Sequence, residues 1–257
     1  MKRVLTALVL VPLIVYVVLW SPPWAVLGVT ALVALLCYHE YAGIAAGYQA
    51  GKPGPLGYAA GLLILALPGK EGVLLVVIAA ALLALSLALR ADDLRGGILR
   101  AAFLLLGVVY VFGCWRFALL LHAQSPYWLF YALVLNWIGD IGAYYVGRAF
   151  GRHKLAPVVS PGKSWEGSAA SLAASLIFGF FFLRAAIPAV SPLMALALTA
   201  AANVAGQFGD LCESALKRGA GVKDSGTLLP GHGGMLDRVD STLFTLPVVY
   251  LFVSWRG

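Results

Sequence analysis

The chain has 257 residues, 61% of them hydrophobic and 11% charged, with a mean hydropathy of +0.91. This composition excludes an ordinary soluble enzyme and places the chain among integral membrane proteins. A net charge of +7 fits basic loops beside anionic lipid, and no basic stripe with interleaved aromatics is present to suggest a nucleic-acid partner.

Met1-Lys2-Arg3 ahead of an apolar run looks like the start of a signal peptide. Val4 to Trp20 is followed, however, by Ser21-Pro22-Pro23 and a second apolar stretch, without a small-residue cleavage site, so a retained first span is expected. Apolar runs predict nine spans, at about 4–20, 24–46, 56–68, 72–89, 101–121, 127–147, 167–187, 193–216 and 239–255. The third is short for a crossing, and tilting, re-entry and pairing with the fourth all fit it. Pro68-Gly69 and Lys70-Glu71 make the turn between those two. The expected fold class is all-α: a polytopic membrane protein of about nine transmembrane helices, with a polar, cytoplasm-facing cavity in its C-terminal half. No long-period repeat or low-complexity linker breaks the chain. Residues 1–257 therefore read as a single membrane domain, with N-terminal spans over 1–121 and catalytic spans and loops over 127–257.

Charge orients the spans. Alternate loops hold Lys2 and Arg3; Lys52; Arg90, Arg95 and Arg100; Arg148, Arg152, Lys154 and Lys163; and Lys217, Arg218, Lys223 and Arg238. The opposite side holds Lys70, Arg184 and Arg256, while Arg116 falls inside a span. Positive loops face the cytoplasm, so the polar motifs are expected there. For Arg116, pairing with Asp140 and snorkelling to an interface stay open.

Cys37, Cys114 and Cys212 lie in apolar segments at unrelated spacings, which supports neither a disulfide framework nor a zinc site. Two spans carry polar residues at helical spacing. Asn203, Gln207, Asp210, Ser214 and Lys217 step by four, three, four and three, and Asn136, Asp140 and Tyr144 make a shorter stripe. Intramembrane carboxylates are functional candidates by default. Hydrogen-bonded glue between helices is the competing reading.

The densest polar stretch is Ser214 to Asp240, whose 27 residues hold four cations, three carboxylates, one histidine and six glycines. Glycines let backbone N–H groups close around an anion. Lys217, Arg218, Lys223 and Arg238 suit phosphate oxygens, and Asp224, Asp237 and Asp240 suit a divalent cation. Asp237 and Asp240, three apart at a helix start, share one face. With Asp210 they would make a metal cage open to phosphate. A competing reading has Asp237 pairing with Lys217 or Arg238 and only holding the loop. His232 reads equally as a hydrogen-bond donor to substrate, a proton donor to the leaving group, or a residue kept for loop structure. Asp224 in Asp-Ser-Gly also fits plain turn chemistry. Ser160-Pro161-Gly162-Lys163-Ser164 lacks the spacing of a Walker A loop, and Glu166 is expected to cap the following span near Ser164.

The stretch resembles the signature of the phosphatidate cytidylyltransferase (CDP-diacylglycerol synthase) family through Ser214, Lys217-Arg218, Lys223-Asp224, Gly226, Pro230, His232-Gly233-Gly234, Asp237-Arg238 and Asp240. The resemblance extends upstream to Asp140 and to Ser160 through Gly167, while the first 120 or so residues match only as a run of spans. It implies an enzyme of the inner, cytoplasmic membrane that joins CTP and phosphatidic acid into CDP-diacylglycerol and pyrophosphate. It further implies Mg²⁺, with room for a second cation, and a homodimer. Asp210, Lys217, Asp237 and Asp240 are then the expected catalytic residues, the three aspartates holding metal. Lys163, Ser214, Arg218, Lys223, His232, Gly233, Gly234 and Arg238 are expected to bind substrate. Two other readings compete: a CTP-dependent polyprenol or phytol kinase, and an ion-coupled transporter using the intramembrane acids. A CDP-alcohol phosphotransferase is excluded, because its DGxxAR-type pattern is missing.

Overall fold

In a computed structural model the chain is described except at Met1, Gln49, Asp92, 229–232 and Gly257, and except for the side chains of residues 2–7, Val9 and Arg256. Helices dominate: α1 (Lys2–Trp20), α2 (Pro23–Gly47), α3 (Pro55–Ala66), α4 (Lys70–Ala88), α5 (Leu94–Gly107), α6 (Cys114–Gln124), α7 (Pro126–Phe150), α8 (Trp165–Ala186), α9 (Pro192–Gly219) and α10 (Leu236–Arg256). A π-helical turn, Val108–Gly113, joins α5 to α6, so Leu94–Gln124 runs as one helical rod. Local chemistry sets several starts. Proline occupies the first turn of α2, α3 and α7, where its missing N–H costs nothing. Asp93 accepts from the N–H groups of Arg95 and Gly96 to start α5.

By length and composition five described helices suffice to cross a membrane: Pro23–Gly47, Lys70–Ala88, Leu94–Gln124, Pro126–Phe150 and Trp165–Ala186. The chain is a multi-pass, predominantly helical membrane protein. Twelve-residue α3 is shorter than the roughly 20 residues a crossing needs. Two details depart from the sequence reading. Lys154–Ala156 and Ser160–Ser164 form a two-stranded antiparallel hairpin (β1 and β2) where only a loop was expected. And Ser164, not Glu166, caps α8 by accepting from Gly167 N–H. Glu166 reaches back instead, accepting from the N–H groups of Arg152 and His153 and bonding His153 Nδ1 at 2.7 Å.

Two compact units are distinguished, with divisions falling inside α9 and α10. The first contains residues 21–119 and 216–238, together with most of α1. Its core is aromatic: Tyr38, Tyr41 and Phe112 are fully buried. Glycines admit these rings, since a Cβ at Gly61 would lie 2.1 Å from Phe112 and one at Gly107 2.3 Å from Tyr41. Arg116 belongs to this unit, where its guanidinium donates to the carbonyls of Ile64 (2.5 Å), in the last turn of α3, and Gly69 (3.2 Å), just ahead of α4. The Ile64 carbonyl stands in the last turn of α3, where carbonyls lack intrahelical donors and a nearby cation is favourable.

The second unit contains residues 120–215 and 239–257, with a short piece of α1. Here α7 and α8 lie along one another through small residues. An added Cβ at Gly139 would sit 2.7–3.0 Å from Ser171, Asn203 and Ser175, and one at Gly142 2.9 Å from the Ala170 carbonyl. Gly209 brings α9 against α10: its Cβ would be 2.7 Å from the Asp240 carbonyl. At one end of this unit Tyr131 stacks with Phe178 and Phe182; towards the other the side chains become polar.

Candidate active site

In the second unit, a cavity of about 580 Å³ opens between α7, α8, α9, α10 and the β-hairpin. Ligand pockets commonly fall in this size range. Its floor is a hydrogen-bond ladder. Asn203 Nδ2 donates to Ser171 Oγ (3.0 Å) and Ser175 Oγ (2.9 Å), Gln207 Nε2 donates to Asn203 Oδ1 (2.7 Å), and Ser168 donates to Gln207. Asn136 Nδ2 donates to the Ala132 carbonyl, while Asn136 Oδ1 accepts from Thr245 Oγ1 at 3.0 Å. These residues are helix glue, as the competing reading of the stripes had it.

The charged members of the same stripes do something else. Asp140 and Asp210 line the cavity, with Tyr144, Arg148 and Lys163. Lys163, carried on β2, forms an ion pair with Asp210, and Ser214 Oγ donates to the other Asp210 oxygen at 3.4 Å. Arg148 Nη1 donates to the Tyr144 hydroxyl at 2.8 Å, and its guanidinium lies 6.0 Å from that ring's centre. Asp240 is half-buried at the start of α10, and the carboxylates of Asp210, Glu213 and Asp140 are near enough to repel its charge. Four acids gathered in this way call for cations. Among the described residues no group of three or more His, Cys, Asp or Glu is arranged to hold a metal ion by itself. Asp210 and Asp240 are oxygen donors of the kind Mg²⁺ takes, commonly one or two carboxylates with phosphate and water completing the shell.

The first unit carries the signature loop. Lys217 Nζ donates to Asp237 Oδ1 at 2.5 Å, with the two side chains only 9% and 7% exposed. Asp237 also accepts from Ser225 N–H (3.0 Å) and Gly234 N–H (2.8 Å). The pairing of Asp237 with Lys217 that the competing reading had is present, and the carboxylate is surrounded by donors of its own chain. Gly233 has φ +79°, and a Cβ there would lie 2.8 Å from Asp237 Oδ2, so glycine is required twice over. Gly221, with φ +74°, ends α9 as Val222 N–H bonds back to the Lys217 carbonyl. Arg218, Lys223, Asp224 and Arg238 are exposed, and Arg218 Nη1 donates to the Val222 carbonyl. Gly231 and His232 lie outside the described residues.

Three residues were passed over in the sequence. Glu40, inside the apolar run of α2 and 4% exposed, accepts from Ser225 Oγ, Met235 N–H and Leu236 N–H, each at 2.8 Å. Glu213, fully buried on α9, stands beside Asp240. Arg148 lines the cavity. The first two had a readable signal, since each is an acid in an apolar helix. Arg148 was counted only as one charge among many in a loop.

Comparison with known proteins identifies the fold's family. The model of the cytidylyltransferase family matches residues 1–255. A phosphatidate cytidylyltransferase of Bacillus subtilis (strain 168) is 41% identical over 155 residues, covering 59% of this chain and 58% of its own length. That of Staphylococcus aureus (strain COL) is 38% identical over 201 residues, covering 76% and 77%. That of Staphylococcus haemolyticus is 40% identical over 159 residues, covering 62% and 61%. The chain thus spans less than two thirds of the Bacillus relative and about three quarters of the S. aureus one. With a family match from end to end and a basic, acid-lined cavity among its helices, this chain belongs to the cytidylyltransferase family and is a nucleotidyltransferase.

Proposed function

We propose that the chain transfers the cytidylyl group of CTP to phosphatidic acid, giving CDP-diacylglycerol and pyrophosphate. The observation that carries this is the second unit's cavity, where Lys163, Arg148, Asp140 and Asp210 meet among membrane helices. The names of the relatives support the same substrates.

The lipid phosphate is already anionic at neutral pH, so the reaction needs no protein nucleophile and no strong base. One phosphate oxygen forms a bond to the α-phosphorus of CTP. The bond from that phosphorus to the oxygen bridging towards the β-phosphorus breaks, and its electron pair leaves with pyrophosphate. The protein's task is to screen anion from anion and to align the attack. Lys163 and Arg148 supply positive charge in the cavity, and Ser214 orients Asp210. Lys217 is held as a fixed point charge by Asp237. Exposed Arg218, Lys223 and Arg238 are available to the triphosphate, and His232 and Gly234 belong to the same loop. Asp210 and Asp240 would hold Mg²⁺, which when bound neutralises phosphate oxygens and the departing pyrophosphate. For Asp237 the contacts favour setting Lys217 over ligating the metal directly.

The proposal extends to nine crossings, with the signature loop and β-hairpin facing the cytoplasm and the protein in the inner membrane as a homodimer. Single cysteines at Lys163 and Gly226, in a variant without the native three, test the orientation: both should label from the cytoplasmic side, and labelling from outside overturns it. The activity is tested with purified protein, labelled CTP, phosphatidate and Mg²⁺, with and without chelator. CDP-lipid and pyrophosphate are expected, abolished by chelator. Phospho-lipid with CDP would mean a kinase, and turnover indifferent to chelator would remove the metal.

A further inference from the structure

Two glycines of the signature loop, Gly226 and Gly234, do not have positive φ. What requires them is a side chain from far away in sequence. A Cβ at Gly226 would lie 2.7 Å from Glu40 Oε1, and one at Gly234 would lie 2.4 Å from Glu40 Oε2 and 2.1 Å from Ser225 Oγ. Expected to close around a phosphate, the loop closes in this structure around carboxylates of its own chain. Glu40 receives the N–H groups of Met235 and Leu236, which are unpaired donors at the start of α10. It thus caps α10 from a helix nearly two hundred residues away in sequence. The same carboxylate receives Ser225 Oγ–H, and Ser225 N–H in turn donates to Asp237, the partner of Lys217.

We infer that Glu40 is a positioning residue: from α2 it holds Ser225 and the start of α10 at Met235 and Leu236 in place, and through Ser225 and Asp237 it fixes the Lys217 ammonium for the reaction. The inference rests on the functional reading above only for its kinetic part. Burial fits the role, because a carboxylate removed from water is stabilised only while its hydrogen bonds are made.

Glu40→Gln tests it. The amide keeps the shape, but each carboxylate oxygen now faces a backbone N–H, so either amide orientation sets a donor against a donor. Hydrogen exchange in detergent should quicken at the amides of 225–228 and 233–237 and remain unchanged in α3 to α5. Turnover of CTP with phosphatidate should fall at least about tenfold, the scale seen for groups that orient a functional residue from behind, with KM for CTP within about twofold. Glu40→Gln and Ser225→Ala should be non-additive, since they cut one network. Ser225→Ala, which leaves both backbone caps in place, carries the test if the Gln variant does not fold, with the same sign in exchange and turnover. Unchanged exchange, normal turnover, a raised KM with intact turnover, or additive losses would each overturn the inference. A wild-type protein that makes no CDP-lipid would sink the proposed function, while the exchange measurement would still decide whether Glu40 holds the loop.

Discussion

Two Lys–Asp ion pairs among the described residues are built from the same chemistry in different surroundings. Lys217–Asp237, in the first unit, is 9% and 7% exposed and tied into a loop whose N–H groups surround the carboxylate. Lys163–Asp210, in the second, is 27% and 30% exposed and lines an open cavity. A buried pair cannot release either partner without stranding a charge, whereas a pair at a cavity wall can exchange its partner for a ligand. The first pair is therefore part of the framework and holds a cation in place. The second is where an incoming anion or cation finds a partner with which to compete.

This contrast is sharpest for Lys217→Met. Removing one partner of a buried pair costs about 3–5 kcal/mol of stability, so the thermal midpoint in detergent should fall. Turnover per folded molecule should drop more than about a hundredfold, roughly 3 kcal/mol of barrier. Lys217→Arg should not restore it, since a planar fork is a poor substitute for a point charge in a crowded site. Asp237→Asn should behave like Lys217→Met, with the metal-dependence midpoint unchanged. A shifted midpoint would return Asp237 to the metal.

Asp210→Asn should lower turnover by about a hundredfold, near 2.7 kcal/mol, and shift the Mg²⁺ dependence while leaving the thermal midpoint in place. If it unfolds the protein as Lys217→Met does, the distinction between the two pairs fails. Gly139→Ala reads the helix glue beneath the cavity: its Cβ meets Ser171, Asn203 and Ser175. A cost of about 1–3 kcal/mol is expected from overpacking, measured by thermal or denaturant unfolding. The smallest effect belongs to His153→Ala. Glu166 keeps its bonds from the backbone N–H groups of Arg152 and His153, so stability should stay within about 0.5 kcal/mol.

Much of this is legible in the sequence. The long apolar runs, the two polar stripes and the Lys- and Gly-rich loop are each a local pattern, governed by helical periodicity and by the poor solubility of polar groups in lipid. Asp140 and Asp210 could be placed on one face each, and that face does line the cavity. The membrane class and the family followed from composition and from the residues of the loop. What the periodicity could not say is which stripe members turn inward as glue and which remain open. Asn203 and Gln207 are spent on neighbouring helices, while Asp210 on the same face holds Lys163. That choice depends on which groups on other helices stand opposite.

Tertiary structure alone decided the contacts that join distant parts of the chain. Nothing near residue 40 announces that its carboxylate caps α10, because the donors it serves stand at residues 225, 235 and 236. The reason two of the signature's glycines are glycines lies in that same side chain, so spacing within the loop suggested an anion and could not say whose. The hairpin over Lys154–Ser164 was hidden for a similar reason. Three- and five-residue strands carry too little alternation to be seen, and pairing makes them. By itself the sequence determined the apolar spans, the polar faces and the charged loop, because each is set by neighbours along the chain. Which charges are framework and which are open to substrate was decided by burial, and burial exists only once the helices have packed.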